Sequence, residues 1–419
     1  MIKKLSFVLL LLLCSHQVFA GNGSLYSRFG IGELQYNMTP QAVGMGGAGI
    51  AVSNPFYINR SNPATLSEIS QVRLFGDFFF NSYSAETSSA SATQSIGGFS
   101  GVGIALPIWK LAVSSGLYPY SRFDYDQLQT GTLATPTGTS SDYEFRYKGV
   151  GGLNMVPIAI GFSPVQNSKI GTVRVGLSYN FMFGTFERSV ENRYTNTDFS
   201  DSDFLEHDHI AGQTLTIGLG YETKKGLFRN EDKLAVGIAY TTSRQLSADR
   251  QTVISASAGT DTISTVNSKV TLPATLAIGL AYHASPTVTF ALDVISQKWS
   301  ELKYFNDDVS YRRDALRIGF GAEVIPTTER RAPYWKKIAY RAGVYSNQTY
   351  LKFDGNEINE LGFTLGFGLP IANESSRLDL GFEYALHGTT SNDLIKENVF
   401  RVKIGLSIGE DWFQQSTID

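Results

Sequence analysis

The sequence predicts an all-β fold, a 14-stranded antiparallel transmembrane β-barrel, and three observations carry that prediction. An export leader opens the chain. No later segment has the roughly 18 consecutive apolar residues that a membrane helix requires. Apolar residues recur at every second position through most of the chain from residue 72 onward. The composition agrees: 41 Gly, 27 Phe and 21 Tyr among 419 residues suit strands that meet lipid on one face and a crowded interior on the other.

Residues 1–20 read as the leader. Lys3 and Lys4 give a basic start, Leu5 to Leu13 form an apolar run, and Val18-Phe19-Ala20 is a small-residue cleavage pattern before Gly21. This is the anatomy of a secretory signal peptide, too short to span a bilayer. Cys14, the single cysteine, follows Leu13 where lipidation needs a small residue, so lipid attachment is not expected. Without the leader's two lysines, 33 basic residues stand against 38 acidic ones. That balance gives no reason to expect nucleic acid as a partner.

Residues 21–70 lack the alternation. Within them "VGMGGAGIAV" (43–52) holds Gly44, Gly46 and Gly49 in the spacing of a dinucleotide-binding turn, with Gly47 between them. The context argues against a nucleotide, because that motif needs a buried strand before it and a helix after it. Here "GELQYNMTPQA" precedes, polar and interrupted by Pro40, while Pro55 and Pro63 come after and exclude a continuous helix. Compact backbone is the physical alternative, since glycine permits positive φ and close chain approach.

Residues 71–411 read as the barrel. Leu378, Leu380, Phe382, Tyr384 and Leu386 alternate with Asp379, Gly381, Glu383, Ala385 and His387. Phe400 to Ile408 and Leu361 to Leu369 repeat the pattern, and successive strand side chains point to opposite faces. The second face carries Arg174, Asp293, Arg317, Glu323, Arg341 and Arg401 in mid-strand among many glycines, as a wet and narrow lumen would. Fourteen segments are counted, centred from about 78 to about 402, with links such as "ASPT" shorter on one side than on the other. Such asymmetry is a property of outer-membrane barrels. Interleaved arginines and carboxylates predict neutralising ladders instead of a catalytic pair. His207 and His209 share a strand face but supply too few ligands for a structural zinc site. No Ser/His/Asp arrangement stands in a recognisable local context, so neither an enzyme nor a cofactor is expected. Residues 412–419 form a tail without a terminal aromatic, free for a periplasmic partner.

"GMGGAGIAVSNPFYINRSNPATLS", "LPATLAIGLAYHASPTVTFALDVISQKWSEL", "LRIGFGAEV", "YRAGVYS" and "TLGFGLP" together resemble, in order, the FadL/TodX family of outer-membrane transporters. The resemblance implies that residues 21–70 fold back as an N-terminal hatch inside the lumen. Gly44 to Gly49 would match the family's glycine turn, and Asn62, Pro63 and Ala64 its Asn-Pro-Ala element. It also implies a gap in the wall at a kinked third strand. Here Pro119 interrupts the third segment and Pro157 the fourth, with Gly116 nearby, and proline cannot donate a ladder hydrogen bond. A lateral opening between strands three and four is therefore expected. Phe29, Ile31, Leu34, Phe56 and Tyr57 are candidates for an apolar ligand pocket in the hatch.

The expected function is passive uptake of hydrophobic small molecules, of the long-chain fatty acid or aromatic hydrocarbon class, across a Gram-negative outer membrane. Expected partners are that ligand, outer-membrane lipids and lipopolysaccharide. The alternative is a scaffold barrel similar to the PorV branch, serving a protein secretion system.

Overall fold

The computed structural model describes residues 22–412 apart from 37, 135–139, 168–170, 197–198, 225, 227, 230, 257–258, 306–309, 328, 330 and 372–374. The expected leader, with the expected cleavage near Ala20, and the tail beyond 412 lie outside the described residues. Fourteen strands succeed one another around a closed wall. They are β1 (Val72–Glu86), β2 (Ser91–Ile108), β3 (Leu111–Pro119, resuming at Ser121–Ala134), β4 (Ser140–Asn167) and β5 (Gly171–Tyr194). Next come β6 (Ser202–Glu222), β7 (Lys233–Thr241, resuming at Arg244–Ala256), β8 (Gly259–Leu272, resuming at Thr275–Ser285) and β9 (Val288–Gln297). The last five are β10 (Ala315–Val324), β11 (Ala339–Phe353), β12 (Asn356–Ile371), β13 (Ser376–Gly388) and β14 (Lys396–Glu410). Neighbours are antiparallel, and β14 returns to β1 in continuous register from Lys396↔Glu86 to Glu410↔Val72. Closure removes the free edges of the first and last strands, which lipid would punish.

The alternation read from the sequence sorts the faces. Phe363, Leu365, Tyr384, Phe400 and Ile404 are exposed on the outer wall, as residues bathed in lipid should be. Asp379, Glu383 and Arg341, one position out of phase, are buried inside. The expected ladders are there: Arg341 pairs with Glu323 and Asp379 at 2.6 Å each, and Arg401 pairs with Glu383 and Glu360. One rim has short turns, such as the Trp109-Lys110 corner between β2 and β3. Trp109, Phe228 and Trp335 are exposed there, an aromatic girdle at the lipid boundary. The other rim is tall on one side. β4 has 28 residues and β5 has 24, whereas about 9 to 11 cross a bilayer.

The leading segment packs against inward-facing residues of wall strands on all sides. A short helix, α1 (Pro40–Gly44), starts at Thr39, whose Oγ1 accepts the Ala42 N–H at 3.2 Å. Asn62 caps the 3₁₀ turn Pro63–Glu68, accepting the Ala64 N–H on Oδ1 at 3.1 Å. Its Nδ2 donates to the wall carbonyl of Leu219. Wall glycines make room for this backbone. A Cβ on Gly366 would lie 2.8 Å from Gly44 Cα, one on Gly237 2.5 Å from Ile50 O, and one on Gly161 2.5 Å from Pro63 O. Gly46 and Gly47 have φ of 67° and 85°, a region other residues rarely occupy.

The glycine turn also has a binding partner, supplied by the protein itself. Asp293 of β9 accepts the Gly49 and Ile50 N–H groups on one oxygen, at 2.6 and 2.8 Å. Thr364 of β12 accepts the Gly46 N–H at 2.9 Å. A wall carboxylate thus occupies the place a phosphate takes in a nucleotide-binding turn. Ion pairs from Glu33 to Arg401 and from Glu68 to Arg174, each 2.8 Å, pin the segment elsewhere.

Two outcomes test this packing. Gly366→Val should lower the melting temperature of the detergent-solubilised barrel, since overpacking costs about 1–3 kcal/mol. Gly76→Val should leave it unchanged, because nothing lies within 4 Å of a Cβ there. Asp293→Ala removes the acceptor of two amides, each hydrogen bond worth about 0.5–1.5 kcal/mol. Limited proteolysis should then cut near residue 49 in the variant and spare the parent.

Candidate lateral opening and lumenal cavities

Backbone pairing is continuous around most of the wall and fails at a definite place. β2 pairs with β3 only from Val102↔Leu117 to Ile108↔Leu111. Beyond Leu117, β3 leaves β2 and turns to the leading segment, where Glu33↔Arg122 and Leu34↔Ser121 form a two-residue ladder. Tyr120 marks the corner: its N–H donates to Leu153 O at 2.7 Å and its carbonyl accepts the Gln35 N–H at 3.0 Å. The β2 edge from Ser91 to Gly101 therefore has no strand on that side among the described residues.

The height of this edge decides its meaning. Phe99 stands opposite Phe78, in the lower half of β1, and Phe78 and Phe80 face outward. That level lies within the span of about ten residues that lipid covers. A second unpaired edge, on β8 above Leu272, starts only after the 11-residue stretch Thr275–Ser285 has crossed. It stands beyond the lipid, where Thr271 bridges Lys303 and the buried Trp299, Leu302 and Tyr304 fill the mouth.

Side chains bridge the seam between β2 and β3. The Arg122 guanidinium donates to Phe99 O at 3.1 Å and lies 3.2 Å over the Phe79 ring. Arg60, from the leading segment, donates to Ser100 O at 3.5 Å, sits between the Phe75 and Tyr118 rings, and pairs with Asp77. Burial pushes the Arg60 guanidinium down to about 10 while Tyr118 acts against it, so it stays charged at neutral pH. An orphan carbonyl moved from water into an apolar medium costs roughly 2–7 kcal/mol; two arginines here relieve two such groups.

The sequence leads one to expect a break between strands three and four, whereas backbone pairing stops between β2 and β3. β3 and β4 remain paired through Pro119↔Asn154 and from Phe123↔Gly151 to Ala134↔Ser140. Their register skips Gly116 and Leu117 opposite Pro157 and Val156, a local defect where Pro157 lacks an N–H. Proline and glycine mark where β3 bends, and the strand that loses its partner is the one before. Sequence alone does not single out Arg60 and Arg122. The one signal is a basic residue three positions after Pro119, intelligible only once the kink is known.

The five pocket candidates do not converge. Phe29 packs on Tyr311 and Phe353, Ile31 is wholly buried, and Phe56 lies under Arg73 and Arg377. Tyr57 donates to Asp379 at 3.0 Å. Leu34 alone of the five lines both of two lumenal cavities. One, about 120 Å³, is edged by Glu33, Glu360 and Glu383 against Arg317, Arg401 and Lys403. The other, about 110 Å³, lies between the leading segment and β3 to β9 and includes Arg60, Tyr118 and Pro157. No group of three or more metal-ligating residues occurs among the described residues. Gly44, Gly46, Gly47 and Gly49, with Asn62, Pro63 and Ala64, serve the close contacts between the leading segment and the wall.

Three solved structures show the same architecture at low identity. The CymD monoaromatic hydrocarbon channel is 14% identical, with 92% of this chain and 100% of that one covered and a TM-score of 0.53. The Ralstonia pickettii toluene transporter TbuX is 14% identical (90% and 99% covered, TM-score 0.54). The P. putida toluene transporter TodX is 12% identical (88% and 98% covered, TM-score 0.55). These likenesses establish the fold of an outer-membrane barrel. Comparison with curated proteins by sequence returns no match. A family model described as BamG matches residues 1–419, and the chain therefore belongs to the BamG family.

Proposed function

We propose that this barrel is an outer-membrane channel through which small hydrophobic molecules pass into the lumen and leave sideways between β2 and β3. The observation that carries the reading is the broken ladder at lipid height, bridged by Arg60 and Arg122 in place of a strand. A wall built only for stability would keep its backbone hydrogen bonds there. On this reading the short-turn rim is periplasmic, the tall rim is extracellular, and residues 21–70 act as a hatch. An apolar solute that reaches the lumen from outside then has a route to the bilayer that avoids the periplasm. Toluene and monoaromatic hydrocarbons are the cargo named for three proteins of like fold, which supports a hydrophobic cargo here.

The single cysteine, Cys14, lies in the expected leader, so the seam can be tested by a reversible tether. Phe99→Cys and Arg122→Cys, joined by a bis-methanethiosulfonate linker, should cut uptake of radiolabelled toluene into reconstituted vesicles at least tenfold, and reduction should restore it. Unchanged uptake in the tethered protein would contradict the lateral route. Arg122→Ala should raise the untethered rate several-fold, because it removes the bridge without altering the strands.

A further inference from the structure

The cavity of about 110 Å³ behind the seam has a lining with two characters. One wall carries a chain of neutral hydrogen-bonding groups. The Ser178 hydroxyl donates to Asn180 Oδ1 at 2.7 Å, and Asn180 Nδ2 donates to Thr214 Oγ1 at 3.2 Å and to Thr216 Oγ1 at 3.0 Å. Thr216 and Thr241 share one further hydrogen bond at 2.8 Å. Proton counting along this chain leaves donors over. Thr214 accepts from Asn180, and its own hydroxyl proton has no acceptor among the described residues. One of Thr216 and Thr241 is in the same position. Beside this chain the lining turns apolar, with Met182 next to Asn180 on the same strand face and Met155, Tyr118 and Ile58 beyond it.

Charge and volume narrow the occupant. Among the described residues that line the cavity Arg60 is the only charged one, and Asp77 already pairs with it. A carboxylate entering this space would find no free cation, and an unpaired buried charge is very costly. The volume is below the roughly 300 Å³ at which drug-sized sites begin. It approaches the engineered cavity of about 150 Å³ that holds benzene in another protein. A single ring fits that scale and a long acyl chain does not.

We propose that this cavity is a binding site for a neutral single-ring compound bearing an oxygen acceptor, of the phenol class. Its ring lies against Met155, Met182 and Tyr118, and its oxygen accepts from Thr214 and from the spare hydroxyl of the Thr216–Thr241 pair. The inference rests on the uptake reading and narrows its cargo: hydroxylated rings are retained on the way to the seam, and fatty acids are not.

Binding of p-cresol, toluene and octanoate to the detergent-purified protein, measured by calorimetry, tests the site apart from transport. p-Cresol should bind at least tenfold more tightly than toluene, and octanoate should show no saturable binding. Thr214→Val should cut p-cresol affinity about tenfold and leave toluene affinity within twofold. Met182→Trp, which fills the cavity, should abolish binding of both rings while the barrel keeps its heat-modifiable shift on a denaturing gel. Equal affinity for p-cresol and toluene, tighter octanoate binding, or a Met182→Trp protein that binds as before would overturn the proposal. Absence of p-cresol binding, with water alone filling the space, would do the same. Vesicle uptake measured in parallel separates the two claims. Binding without flux removes the channel reading and keeps the site, whereas flux without binding removes the site and keeps the channel.

Discussion

A peptide group inside a bilayer has no water to bond with, and that constraint orders this structure. Closing β14 onto β1 answers it around most of the wall. Where β3 abandons β2, the same constraint brings in substitutes: two arginines whose guanidinium groups reach carbonyls that a strand would otherwise serve. Arginine suits the task because several donors spread over one plane can face a carbonyl, an aromatic ring and a carboxylate together. One half of the bridge, Arg60, is carried by the leading segment, and the other, Arg122, by the displaced strand. The seam and the lumenal segment are therefore mechanically connected, since displacing the segment withdraws Arg60 from Ser100 and the Glu33–Leu34 ladder from β3.

The interior meets a second demand, to hold about fifty residues of irregular backbone without leaving its polar groups unpaired. Two solutions operate together. Glycines on the inward face of strands such as β4, β7 and β12 let the segment's backbone touch the wall's backbone. Inward carboxylates and hydroxyls, Asp293, Thr364, Asp379 and Glu397, then take its N–H and O–H groups at contact distance. The G-x-G-x-x-G spacing acquires a meaning here that involves no nucleotide. A turn rich in outward N–H groups holds an acceptor, and the acceptor is a side chain of the barrel.

The barrel is legible in the sequence because strand periodicity is local. Leu378 to Leu386 shows its two faces without reference to any other segment, and the structure places Asp379 and Glu383 inside as that phase requires. The ladders around Arg341 and Arg401 are legible for the same reason. What escapes is relational. Pro119 announces a disturbance in β3, but which neighbour loses its pairing depends on where the leading segment lies, and no local pattern records that. Pro157 points to the seam with β4, yet its missing N–H only removes two rungs there. The apolar residues of the leading segment suggest one pocket because they are near in sequence. Folding sends Phe29 toward one end and Phe56 toward the arginines at the other.

Hydrogen exchange of the protein in lipid nanodiscs bears most directly on the broken seam. Amides of residues 91–100 facing β3 should exchange at least a hundredfold faster than those between β12 and β13 at the same membrane depth. Equal protection at the two seams would mean that β2 and β3 are paired throughout, and the lateral route would have no physical basis.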